Sequence, residues 1–103
     1  MRLVNNVPVI EIDNGSDYTA CSGVTPLNDG QPHLVTIKRS GTSSGNLSLF
    51  IDCNPTPDAT CTSTTSISSG LGPLHIGSGD PCIGFDGTVP LNGTMTDVCV
   101  GTL

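Results

Sequence analysis

Apolar residues in this chain come only in short runs. Val7-Pro8-Val9-Ile10-Glu11-Ile12, Leu34-Val35-Thr36-Ile37-Lys38 and Leu47-Ser48-Leu49-Phe50-Ile51-Asp52 are each five or six residues long. Such lengths suit strands and are too short for a helix with an apolar stripe. Between them stand Asp13-Asn14-Gly15-Ser16-Asp17, Thr25-Pro26-Leu27-Asn28-Asp29-Gly30 and Ser40-Gly41-Thr42-Ser43-Ser44-Gly45. These segments are turns by composition, because Asn and Gly tolerate positive φ and Asp caps nearby backbone. In the third run Leu47, Leu49 and Ile51 alternate, and a period of two turns them together towards a core. Ser48 and Asp52 then face the other way, and Phe50 is expected under a second sheet or a neighbour. The second and third runs read as an antiparallel pair. Pro8 cannot donate to a ladder, which confines it to an edge strand or the beginning of a strand.

The rest of the chain reads less sharply. Residues 54–70 hold Pro55, Pro57 and a dense Thr/Ser run, and are expected to form a protruding loop. Leu74-His75-Ile76-Gly77 reads as a short strand, 78–87 as a Gly/Asp-rich loop, and 92–100 as a closing strand. With 103 residues the length suits one domain, 1–103. A domain so small buries a limited share of its surface and gains from cross-links or neighbours.

Five cysteines, Cys21, Cys53, Cys61, Cys82 and Cys99, include no C-x-x-C pair of the kind that chelates zinc or exchanges disulfides. Disulfides are the expected use in a small, loop-rich chain. Proximity suggests Cys53 with Cys61 and Cys82 with Cys99, leaving Cys21 odd, although sequence does not fix connectivity. Asn14-Gly15-Ser16, Asn46-Leu47-Ser48 and Asn92-Gly93-Thr94 match the acceptor pattern for N-glycans, so Asn14, Asn46 and Asn92 are candidate glycosylation sites. The expected location is extracellular or at the cell surface. The net charge of −6, with three basic residues, would repel a phosphate backbone and argues against nucleic acid as a partner. No apolar stretch approaches the roughly 20 residues of a spanning helix. Residues 1–10 are broken by Asn5, Asn6 and Pro8 and show no signal-peptide core, so a mature form or a fragment is expected.

Four segments in order resemble a known family. Leu27-Asn28-Asp29-Gly30-Gln31-Pro32-His33-Leu34-Val35 and Leu47-Ser48-Leu49-Phe50-Ile51-Asp52 resemble the "l-n-D-G-x-W-H-x-v … l-x-L-y-v-D-G" pattern of laminin G-like domains. Leu74-His75-Ile76-Gly77 is similar to its "l-y-I-G-G" strand. Phe85-Asp86-Gly87 with Leu91-Asn92-Gly93-Thr94-Met95-Thr96-Asp97-Val98 is similar to its "F-n-G-x-i-d-d-v" ending. Pro32 stands where the family has Trp, Cys53 where the Asp-Gly turn has Gly, and Ser78 where the second Gly of "I-G-G" would be. The resemblance, to the laminin G-like and concanavalin A-like superfamily, implies an all-β fold. The architecture it implies is an antiparallel two-sheet β-sandwich, a jelly roll. The matched pieces are those of the family's C-terminal half, so the sandwich is expected to be incomplete and open to completion by a neighbouring chain, with residues 1–12 as an exchanged or edge strand.

Candidate chemistry is sparse. Glu11 and Asp13 begin the E-x-D-x-x-E pattern of related glycosidases. Ser16 takes the place of the third acid, and Glu11 is the one glutamate, so the two positioned carboxyl groups of a glycosidase are not supplied. His33 is expected to bond backbone at the start of a strand, and His75 to face solvent. Calcium is the one metal suggested, with Asp13 and Asp17 in one turn and Asp80 and Asp86 in another as oxygen ligands; no cofactor is otherwise expected. Two readings of function follow. The first is an extracellular, non-enzymatic recognition or adhesion module binding protein or glycan. The second is a structural subunit of a glycosylated extracellular fibre or pilus-like homopolymer assembled by β-strand complementation.

Overall fold

The computed structural model describes residues 1–67. The chain divides into two compact units, Met1–Gly70 and Leu71–Leu103, and the described residues belong to the first. The strands expected at 74–77 and 92–100, and the loop between, lie outside the described residues.

The described residues are all-β and contain no helix. They form six strands: β1 (Arg2–Val4), β2 (Val7–Asp13), β3 (Tyr18–Ser22), β4 (Val35–Arg39), β5 (Gly45–Ile51) and β6 (Ala59–Ser63). Two antiparallel three-stranded sheets result, ordered β1-β2-β3 and β4-β5-β6. Asn5 and Asn6 make the β1–β2 turn, with φ of 51° and 70° and Val4 opposite Val7. That is the two-residue, doubly left-handed turn that Asn tolerates and that matches strand twist. Residues 1–12 are therefore paired within the chain, β1 at an edge and most of β2 at the centre of its sheet.

Pro8 sits second in this central strand. It is fully buried, and its carbonyl accepts from the Gly23 amide at 2.8 Å. Its missing N–H falls just beyond the last residue of β3, so the ladder loses a bond only at its end.

β4 and β5 form the antiparallel pair expected of the second and third runs, with Ile37 opposite Leu49 and Val35 opposite Ile51. Leu47, Leu49 and Ile51 are buried and join Ile10 and Cys21 of the other sheet in one cluster. Each such side chain contributes about 1.5–3 kcal/mol relative to exposure. Phe50 points away from this cluster and lies under its own neighbour on β4, the Lys38 ammonium standing 4.8 Å from the ring centroid.

Two expectations are corrected. Residues 54–70 are not one protruding loop, because β6 runs through the Thr/Ser stretch and pairs with β5, Cys61 opposite Leu47 and Ala59 opposite Leu49. Thr is β-branched and suits a strand, and alternation turns Cys61 and Ser63 inward. The disulfide is also different. Cys61 bonds Cys21, not Cys53, with Cα atoms 5.7 Å apart, and joins β3 of one sheet to β6 of the other. Cys53 is free and exposed, while Cys82 and Cys99 lie outside the described residues. Closeness along the chain misled because Cys53 occupies a turn pointing to solvent, whereas strand alternation aims Cys21 and Cys61 at each other.

Candidate binding surface at one end of the sheets

The β3–β4 connection (residues 23–34) and the β5–β6 turn (residues 52–58) meet at one end of the strands, held together by three carboxylates. The turn begins with Ile51 accepting from the Asn54 amide at 3.0 Å. Asp52 and Cys53, its central residues, both have positive φ, 52° and 58°. Asp tolerates this region through local hydrogen bonding, while Cys there is strained where Gly would not be. The Asp52 amide donates to the Leu34 carbonyl at 2.9 Å. Its Oδ1 accepts from the Leu34 amide at 2.9 Å.

His33 fills the gap between this turn and the connection. Its Nδ1 lies 2.8 Å from Asp52 Oδ2 and its Nε2 lies 2.9 Å from Asp29 Oδ1. The sequence pointed to backbone partners; the ring instead spans two side chains. Ionised carboxylates only accept, and a neutral imidazole has one N–H, so both contacts are satisfied by the imidazolium. The hydrogen bonds to Asp52 and Asp29 accordingly raise the His33 pKa above its ordinary value. Asp29 is lowered by the Gln31 amide and by His33, and Asp52 by His33 and the Leu34 amide.

Asp58 performs the second join. Its Oδ2 accepts from the Val24 and Thr25 amides at 2.8 and 3.2 Å, and its Oδ1 from the Thr25 hydroxyl. Desolvation pushes the Asp58 pKa up, yet these three donors outweigh it and leave the group lowered. Gly23 makes room for the carboxylate. A Cβ on Gly23 would lie 2.3 Å from Asp58 Oδ2 and 3.0 Å from both Leu49 and Pro8. Between the two joins lies an open depression of about 390 Å³, lined by Val24, Thr25, Asp52, Asn54, Thr56 and Asp58 among others. Its lining combines hydroxyls, an amide and carboxylates with the apolar side chains of Val24, Ile51 and Pro57, suited to a surface ligand that presents hydrogen-bonding groups beside apolar ones.

The residues singled out in the sequence fall elsewhere. Asp13 and Asp17 flank the β2–β3 turn, where Asp13 Oδ1 accepts from the Gly15 amide at 2.6 Å and Asp17 Oδ1 from the Tyr18 amide at 2.9 Å. They serve as turn caps, and no group of three metal-ligating side chains that could hold an ion occurs among the described residues. Asp80 and Asp86 lie outside those residues. Glu11 pairs with Arg2 at 2.8 Å. Asn14 holds the same turn, its Oδ1 accepting from the Ser16 and Asp17 amides and its Nδ2 donating to the Ser66 carbonyl at 3.1 Å. Asn46 is exposed on β5, and Asn92 is outside the described residues. Asp58 was missed, and a lone Asp between Pro57 and Ala59 carries no signal that would have revealed it.

Comparison with protein-family models, with curated proteins and with solved structures gives no match to this chain.

Proposed function

We propose that the chain is an extracellular, non-enzymatic recognition module whose two sheets form a laminin G/concanavalin A-like sandwich, and that it binds protein or glycan through the loop end described above. The observation that carries this reading is the mutual locking of two connections around an open depression lined by both hydrogen-bonding and apolar groups. Side chains held in place before binding lose little freedom on complex formation, which is what a recognition surface needs. The inter-sheet Cys21–Cys61 bond supports an oxidising location, since such bonds persist outside the reducing cytosol. The four motifs in order along the chain support the family. Among the described residues His33 is held by two carboxylates and Glu11 by Arg2, structural contacts that accord with a non-enzymatic role.

The assembly reading draws on a separate observation. Ile37 shares a face with core residue Leu49, and Leu3 shares one with Pro8, yet Ile37 is 46 % and Leu3 42 % exposed. Apolar side chains on inward faces at the sheet edges suit completion by another copy. The pairing of residues 2–4 and 7–13 inside the chain makes those edges, rather than a donated residue 1–12 strand, the contact that this reading would use.

The test is direct binding of the purified chain to arrays of glycans and of extracellular-matrix proteins, with Val24→Arg/Thr56→Arg beside wild type and Thr42→Arg as a control. A ligand lost about tenfold or more in the double variant, equivalent to roughly 1.4 kcal/mol, and retained in the control is the expected result. Ligands retained by all three proteins, or no ligand with polymers by light scattering, would overturn the reading.

A further inference from the structure

We propose that Asp29, His33 and Asp52 form a proton-operated latch that ties the β3–β4 connection to the β5–β6 turn when His33 carries its proton and lets the Asp29 side go when the proton leaves. The latch rests on side-chain geometry and does not require the depression to bind a ligand.

Among the described residues the two ring nitrogens have one side-chain partner each. Asp29 approaches Nε2 from the connection and Asp52 approaches Nδ1 from the turn, and no other charged group of those residues contributes to the His33 titration. Loss of one proton leaves one ring nitrogen with a lone pair facing a carboxylate oxygen at under 3 Å, a repulsive contact between two acceptors.

Which side opens is decided by anchoring. Asp52 is fixed by two further bonds to Leu34, one from its backbone amide and one to its Oδ1. Among the described residues the further side-chain anchor of Asp29 is the Gln31 amide at 2.9 Å, a local contact within an exposed segment. The remaining proton therefore stays on Nδ1 towards Asp52, and Nε2 loses Asp29. The result is a one-sided release: Asp29 and Gly30 come free, while Leu34 stays paired to Asp52.

The working range follows from the signs. His33 is raised, so its contribution is complete below the ordinary imidazole value and is lost as pH rises through the folded-state value. Asp29 and Asp52 are lowered, so theirs is complete above the ordinary carboxylate value and is lost as pH falls through the folded-state values. The latch is closed between these limits and opens at either side.

The test is an NMR titration of the full chain, with its two histidines told apart by His75→Gln. Ring-carbon shifts read His33, and backbone order parameters read residues 29, 30 and 34. The His33 midpoint is expected above the ordinary imidazole value. The Asp29 and Gly30 order parameters should fall through the same midpoint from about 0.85 to below about 0.6, with Leu34 unchanged. In Asp29→Asn the carboxamide oxygen can accept from the imidazolium and the carboxamide N–H can donate to the bare Nε2 of the neutral ring, so the midpoint should drop towards the ordinary value and the order of residues 29 and 30 should no longer follow pH. A wild-type midpoint at or below the ordinary value, unchanged order at Asp29 and Gly30, or release of Leu34 together with them would each overturn the latch.

Discussion

The two ends of the described unit solve one problem with different chemistry. At the end formed by residues 23–34 and 52–58, carboxylates on exposed turns capture amides and a histidine in contact with water. At the opposite end, the β2–β3 turn, the β4–β5 connection and the chain after β6 are joined around part-buried hydroxyls, with Arg39, Asn14 and backbone groups completing the contacts. Ser63 and Thr65 are buried, and Thr19 Oγ1 lies 2.8 Å from both Ser63 Oγ and Thr65 Oγ1. A single direction of donation satisfies all three: Ser63 to Thr19, Thr19 to Thr65, and Thr65 to Asp17 Oδ2 at 3.4 Å. The Arg39 Nη2 donates to the Thr65 carbonyl at 2.9 Å. Asn14 reaches the Ser66 carbonyl and the Ile67 amide donates to the Thr42 carbonyl at 2.7 Å. The difference teaches that exposure decides what a join responds to. Solvated charges answer to pH, whereas the Ser63, Thr19 and Thr65 hydroxyls have no proton that titrates in the ordinary range and their chain is intolerant of a missing member.

The comparison can be broken most sharply at Thr65. Thr65→Val keeps the shape but removes the central hydroxyl, leaving the Thr19 hydroxyl without its acceptor and Asp17 Oδ2 without the Thr65 donor. A loss of about 1–3 kcal/mol in urea unfolding is expected; a loss under about 0.5 kcal/mol would mean that the buried chain of hydroxyls contributes little net stability.

A smaller effect is expected at Asp58, at the other end. Asp58→Ala should cost about 1 kcal/mol, because the Val24 and Thr25 donors that it abandons can turn to water. The cost should fade in acid. Asp58 is lowered, so its contribution is present above the ordinary carboxylate value and disappears as pH falls through the folded-state value. A difference from wild type that persisted unchanged in acid would sink the electrostatic account of this end.

Legibility in the sequence tracked side-chain size. Alternating Leu47, Leu49 and Ile51 announced β5, and the neighbouring Val35 and Ile37 announced its partner. The strands β3 and β6 were silent because Tyr18-Thr19-Ala20-Cys21-Ser22 and Ala59-Thr60-Cys61-Thr62-Ser63 face inward through Thr, Cys, Ala and Ser. Small polar residues read as loop when their hydrogen bonds cannot be seen. The loop-end site was legible in part. Asp29 and His33 stood in a recognisable turn-and-strand segment, but their joining to Asp52, and the role of Asp58, depend on two connections remote in sequence meeting in space. The calcium candidates Asp13 and Asp17 each place one carboxylate oxygen on a turn amide, a use of acids that their spacing in the sequence does not reveal.

Both ends depend on β6 being a strand that turns Cys61 towards Cys21, and that is open to a direct measurement. Cleavage before aspartates under non-reducing conditions places each of the five cysteines on its own peptide, 17–28, 52–57, 58–79, 80–85 and 97–103. Mass spectrometry should find 17–28 joined to 58–79, with that link lost on reduction. A link between 52–57 and 58–79, joining Cys53 to Cys61, would restore the loop that the sequence suggested and contradict the two-sheet unit described above.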